Sequence, residues 1–141
     1  MAVLFKYISG AVAALAALLC PITPLIITAS VFIAIDFVTG IYASYVAARN
    51  EGRAWRIESR KAWRTINKLC FVVTGIFMTW LVDSLVLQFM ELHLANIFTG
   101  FVCGVELWSF FENASVISKS PLFEWLGRWI RRRLGKEVGD E

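Results

Sequence analysis

Four carboxylic acids stand inside or beside long apolar runs: Asp36, Asp83, Glu106 and Glu112. An acid at the centre of a bilayer costs roughly 2.5–3.5 kcal/mol on the insertion scale, so such residues face protein or water rather than lipid. Two kinds of chemistry are open to them. They can hold helices together through shared hydrogen bonds, or they can line a wet path or an oligomer interface that becomes wet. Their neighbours at helical spacing suit either use. Asp36 shares a face with Thr39, Gly40, Ala43, Ser44 and Ala47, all small or weakly polar, which permits close helix contact. Glu106 has Cys103, Ser109 and Asn113 nearby, with Gly100 and Gly104 forming a GxxxG on the adjacent side. Asp83 comes after Gly75 and Thr79, and both Asp83 and Glu112 stand nearer the ends of their segments, where water is within reach. No lysine or arginine lies within an apolar run to pair with Asp36 or Glu106. Both acids are therefore expected to be protonated or to share hydrogen bonds. Glu112 is expected within reach of Arg49 or Lys68 at the interface.

Nothing else in the chain has the makings of a catalytic or ligand site. The acids have no nucleophile, metal-ligand set or cofactor loop beside them. Three cysteines, Cys20, Cys70 and Cys103, show no CxxC spacing, and an odd number is not a disulfide framework. The one histidine, His93, has no cluster around it, and no GxGxxG, P-loop, GxSxG or HExxH motif is present. An enzyme, a cofactor and a metal are not expected.

The elements that must position the acids are set by composition. Of 141 residues, 58% are hydrophobic and 18% charged. A single soluble domain of this size leaves too much surface exposed to hide so much apolar area, and disorder is excluded for the same reason. The chain is too short for the inverted repeats of most secondary transporters. The pattern predicts an all-α integral membrane protein: a bundle of four transmembrane helices, or three, plus a C-terminal amphipathic interfacial helix. Spans are expected at about 2–20, 24–48, 68–87 and 95–117, forming one membrane domain over 1–117. Pro21 and Pro24 mark a tight break after the first segment, because proline removes a donor and disfavours helix in the residue before it. That first segment has the charge and length of a signal peptide but no small-x-small cleavage site, so it reads as a retained span or as a helix lying in the interface.

Positive charge sets the orientation. The stretch from Arg49 to Lys68 holds Arg49, Arg53, Arg56, Arg60, Lys61, Arg64 and Lys68 against only Glu51 and Glu58. The tail, 118–141, adds Lys119, Arg128, Arg131, Arg132, Arg133 and Lys136. The turns around Pro21–Pro24 and Leu85–Asn96 carry no lysine or arginine. The positive-inside rule then makes the 49–67 loop and the tail cytoplasmic. With four spans both termini are cytoplasmic, and Lys6 agrees. Three spans, with the first segment outside or interfacial, satisfy everything except Lys6. In the tail, Ser120 can cap a helix, Pro121 suits its first position, and Leu122, Trp125, Leu126, Trp129 and Ile130 share one face. Arg128, Arg131 and Arg132 flank it, and Trp55 and Trp63 repeat the recipe in the loop. Such surfaces suit the headgroups of an anionic inner leaflet. Orientation already accounts for the basic residues, so nucleic acid is not an expected partner.

Two short motifs carry a resemblance. Phe32–Ala43, FIAIDFVTGIYA, resembles the D-x-x-T-G signature of the phage lysis and toxin-secretion holin family. Glu106–Asn113, ELWSFFEN, resembles the E-x-x-S-x-x-E-N signature of that family's last span. Between them Ser59 and Lys68 match the serine and lysine of the family's basic loop, and spacing and order agree over roughly Leu25 to Arg133. The resemblance implies a small inner-membrane protein that oligomerises into lesions and releases a cell-wall hydrolase (an endolysin) or a toxin. The matching positions are Asp36, Thr39 and Gly40, then Glu106, Ser109, Glu112 and Asn113. The long basic loop and strongly amphipathic tail depart from the family pattern. A small oligomeric ion channel or membrane-depolarising effector, and a structural subunit of a larger membrane complex, remain as alternatives.

Overall fold

The computed structural model describes residues 1–56, 59–90, 92–118, 120–123, 125, 128 and 129. Among them the chain forms helices and no strand: α1, Ala2–Leu19; α2, Thr23–Asn50; α3, Ser59–Leu81, continued by a π turn at Val82–Val86; and α4, Leu94–Ser118. Three helical runs are long and apolar enough to cross a membrane, with α1 and α2 counted together as one run. The all-α membrane reading is thus the fold observed.

The expected break at Pro21 and Pro24 is a single 3-10 turn, Cys20–Ile22. Its flanking residues keep right-handed helical angles, with Leu19 at φ −84°, ψ −13° and Thr23 at φ −52°, ψ −44°. The chain therefore does not double back there. α1 packs along none of the other helices, and the described side chains before Leu19 are exposed.

The basic segment also differs from expectation. α2 ends at a Schellman cap: the Arg53 N–H reaches the Ala48 carbonyl at 3.0 Å, and the Gly52 N–H reaches the Arg49 carbonyl at 3.3 Å. The cap requires a left-handed residue, and Gly52 supplies it at φ 65°. The 49–67 stretch is not a surface loop throughout, because α3 starts at Ser59 instead of Lys68. The reason lies in spacing: Lys61, Thr65, Lys68, Val72 and Ile76 fall three and four apart, a stripe that packs inward only if the helix is already wound.

Matching stripes run down the partners, Ala29, Ile33, Asp36, Gly40 and Ala43 on α2, and Ala95, Thr99, Val102, Glu106, Ser109 and Asn113 on α4. α2 and α4 make the most extensive contact, and α3 packs against both. The interior is divided in two. Far from the basic segment it is apolar, with Ile22, Ala29, Ile33, Val72, Ile76 and Val102 buried together. Phe98 of α4 lies against Gly75 of α3, where an added Cβ would come within 2.5 Å of the ring. Towards the basic segment the same three stripes turn polar. The outer faces carry exposed Phe71, Phe101, Ile97 and Val38, as expected of surfaces turned to lipid.

Candidate functional site

The polar half of the interior forms a junction of α2, α3 and α4. Lys68 stands about two and a half turns into α3, about 14 Å from its start at Ser59. Its Nζ lies 2.7 Å from Glu106 Oε2 and 3.7 Å from Asp36 Oδ2. Glu106 is 3% exposed, whereas the side chain of Lys68 is 41% exposed. The long lysine stem thus carries a charge from the bundle's margin to a buried carboxylate, as amphipathic side chains do. Asn113 closes the other side of Asp36, its Nδ2 donating to Asp36 Oδ1 at 3.1 Å and approaching Thr39 Oγ1 at 3.4 Å. The Thr39 hydroxyl is bound in turn to the Ile35 and Asp36 carbonyls. Gly40 lies beside Asn113, whose Nδ2 is 3.4 Å from where a Cβ would stand. Ser109 lines the same cleft. One turn nearer the basic end, Lys61 donates to Ser44 Oγ at 3.1 Å.

The structure therefore gathers most of the acid-bearing motif residues and adds a basic partner that sequence reasoning missed. Asp36, Thr39, Gly40, Glu106, Ser109 and Asn113 share one junction, and Ser44 lies beside it. The expectation that Asp36 and Glu106 have no basic partner is corrected: Lys68 answers both, because the early start of α3 carries it inside the bundle. The signal was present in the inward stripe shared by Lys61, Thr65 and Lys68, and it was obscured by treating these residues as a surface loop. Lys68 is correspondingly turned to Glu106, not to Glu112, which is exposed on α4.

Asp83 is not part of the junction. It stands at the opposite end of α3, where its Oδ2 accepts the Ala95 N–H at 3.0 Å and so caps the start of α4. Its Oδ1 is buried without a partner among the described residues. A Cβ added at Gly100 or Gly104 would meet nothing within 4 Å beyond its own helix, so both face outward, away from the other helices.

The basic and aromatic residues occupy the junction's rim and the surface beyond it. Arg53 pairs with Glu51 at 2.6 Å, and Trp55 meets the Tyr45 ring edge-on with centroids 5.5 Å apart. Arg56, Arg60, Trp63 and Arg64 are exposed, while Lys61 turns inward. In the tail, the Ser120 hydroxyl accepts the Leu122 N–H at 3.4 Å, Phe123 packs on Phe111, and the Trp125 and Trp129 rings stack. Arg128 is exposed beside them. Arg131, Arg132 and Arg133 lie outside the described residues, as do Leu126 and Ile130. Among the described residues no cluster of three or more histidine, cysteine or acidic side chains has the arrangement of a metal site.

Lipid-facing helices around a small charged junction, in which one lysine stands between two acids, define an all-α membrane protein. Residues 13–132 match the bacteriophage holin family, and the chain belongs to that family. It is not a family of enzymes. No match is found among curated proteins or among solved structures.

Proposed function

We infer that this chain oligomerises in the cytoplasmic membrane and opens lesions through which a cell-wall hydrolase or a toxin leaves the cytoplasm. The observation that carries this reading is the Lys68–Glu106 pair, at 2.7 Å, with Asp36 beside it in a bundle of only three packed helices. A charged cluster of this kind costs desolvation energy in a dry interior and is relieved of that cost in water. The packed monomer is then the closed form, with both acids held on Lys68 inside. When many copies assemble, the same helices can turn those charges towards a water-filled lumen. A protein with two such arrangements shifts towards whichever is favoured by its surroundings, here the density of copies. The outward Gly100–Gly104 strip offers a face for close approach of another helix.

In this reading α2, α3 and α4 cross the membrane, with the basic connection after α2 and the tail cytoplasmic by the positive-inside rule. A helical run of 48 residues rises about 72 Å, more than twice the ~30 Å hydrocarbon core. α1 therefore continues beyond the core on the opposite, outer side.

The test is induced expression in a Gram-negative host, with and without a cytosolic wall hydrolase of known size, following membrane potential and lysis together. Abrupt lysis that needs both proteins is the expected result. Loss of potential without hydrolase release would replace this reading with a narrow ion channel, and no change in either would leave a structural subunit.

A further inference from the structure

The polar junction opens sideways into a cleft of about 480 Å³ whose lining includes Lys61, Arg64 and Lys68 of α3, with Ser109 and Asn113 of α4. Asp36 lies in the same wall. Lys68 is committed to the two acids, but Lys61 and Arg64 have no carboxylate within ion-pair distance among the described residues. Both project from the first two turns of α3, where the basic segment gives way to the apolar stretch beginning at Leu69. Arg64 and Lys68 also line a second groove of about 460 Å³ that continues along α3 and α4 over Phe71, Val72 and Phe98. Phe71 is 77% exposed at its edge. A cationic, hydrogen-bonding cleft thus runs directly into an apolar trough along the membrane-embedded faces.

We propose that this composite groove is a binding site for one anionic phospholipid, with the phosphate on Lys61 and Arg64 and an acyl chain along Phe71, Val72 and Phe98. The chemistry is specific to that class. Guanidinium and ammonium groups recognise a phosphodiester, and a basic recess between membrane helices at headgroup height holds an anionic lipid where a flat basic surface only attracts one. The hydroxyl of Ser109 and the rim around it suit a polyol headgroup such as glycerol. A zwitterionic lipid would bring its own cation against Lys61 and Arg64. The bound lipid would bridge α3 to α4 at the mouth of the charged junction. The site depends on α3 and α4 being embedded in a membrane and not on lesion formation.

The full chain, purified in detergent, is mixed with dioleoyl-phosphatidylglycerol or dioleoyl-phosphatidylcholine, and bound lipid is counted by native mass spectrometry. The wild type is expected to retain one phosphatidylglycerol per chain with at least about a tenfold preference, the scale of one charge-assisted contact pair. Arg64→Ala and Lys61→Ala should each remove most of that preference, and Phe71→Ala should weaken retention with the headgroup unchanged. Arg49→Ala, which removes the same charge from the end of α2 outside the cleft, should retain it. Circular dichroism verifies that each variant is folded, and the exposed position of Phe71 keeps the test decisive if Arg64→Ala does not fold. Equal retention of the two lipids would overturn the proposal. So would an Arg49→Ala loss as large as that of Arg64→Ala, which would mean diffuse charge attraction. Displacement by inorganic phosphate at the lipid's own concentration would also overturn it, since the trough would then add nothing.

Discussion

The ammonium of Lys68 lies 2.7 Å from the carboxylate of Glu106, and the two differ sharply in surroundings, with Glu106 3% exposed and Lys68 41%. The pair is lopsided: the buried member cannot reach water, and the other member delivers its charge from the margin. Removing the lysine strands a charge, whereas removing the glutamate lets the lysine swing outward.

That asymmetry gives an ordered set of stabilities. Lys68→Met should destabilise the folded chain towards the lower end of the roughly 3–5 kcal/mol seen when a buried pair loses one partner, because Lys68 is partly exposed and screened. Glu106→Gln should cost less, and the double variant should recover much of the Lys68→Met loss. Unfolding in detergent, followed by circular dichroism, measures all three. Additive losses would show that the two side chains are not coupled.

Asp36 should separate folding from lesion opening. Asp36→Asn keeps an oxygen to accept the Asn113 amide at the 3.1 Å position, so the bundle should fold normally. It removes the charge that a wet lumen would favour, and lysis timed from induction should be delayed or blocked. Unchanged timing in both Asp36→Asn and Glu106→Gln would refute a role for these acids in opening.

The glycines differ by what faces them. Gly75→Ala drives a methyl into the Phe98 ring and should cost about 1–3 kcal/mol, as overpacking does, with partial rescue by Phe98→Leu. Gly104→Ala meets open space and should leave the monomer's stability equal or slightly higher, by up to about 1 kcal/mol from helix propensity. Cross-linking of Gly104→Ala in membranes then reports on association alone; unaltered cross-linking would remove this strip from the oligomer interface.

The helical continuity through Cys20–Ile22 predicts where the N-terminus lies. With α1 on the outer side, alkaline phosphatase fused ahead of Ala2 should be active and green fluorescent protein there should be dark. The reverse pattern would place a fourth crossing in α1 and bring Lys6 to the cytoplasmic side.

Much of this was legible in the residues. Asp36 with Thr39 and Gly40, and Glu106 with Ser109 and Asn113, lie on inward faces because period and polarity agree along α2 and α4. The Ser120 cap was legible for the same local reason. Lys68 was not, because a run of arginines reads equally well as a surface loop and as the first turns of an amphipathic helix. Only packing against α2 and α4 decides between them. Asp83 was placed near water by its position along the chain; its bond to Ala95 depends on how tightly the far hairpin closes, which no local pattern encodes. The prolines indicated a break correctly in place but not in direction, since Pro21 and Pro24 are both compatible with a helix that continues through a tighter turn.

The π turn at Val82–Val86 is closed by the Leu87 N–H on the Val82 carbonyl at 2.9 Å. It winds in one residue more than an α turn would, which rotates the succeeding residues by about 100°. That rotation sets the phase in which the carboxylate of Asp83 meets the first turn of α4. The hairpin is therefore counted to the residue: a single deletion within 82–86 would restore ordinary winding and swing the carboxylate off its amide. In the basic connection between α2 and α3, begun by a glycine cap, none of the described residues 51–56 is bonded to α3 or α4. Insertions and deletions should be tolerated on the basic side of this molecule and selected against at its far end.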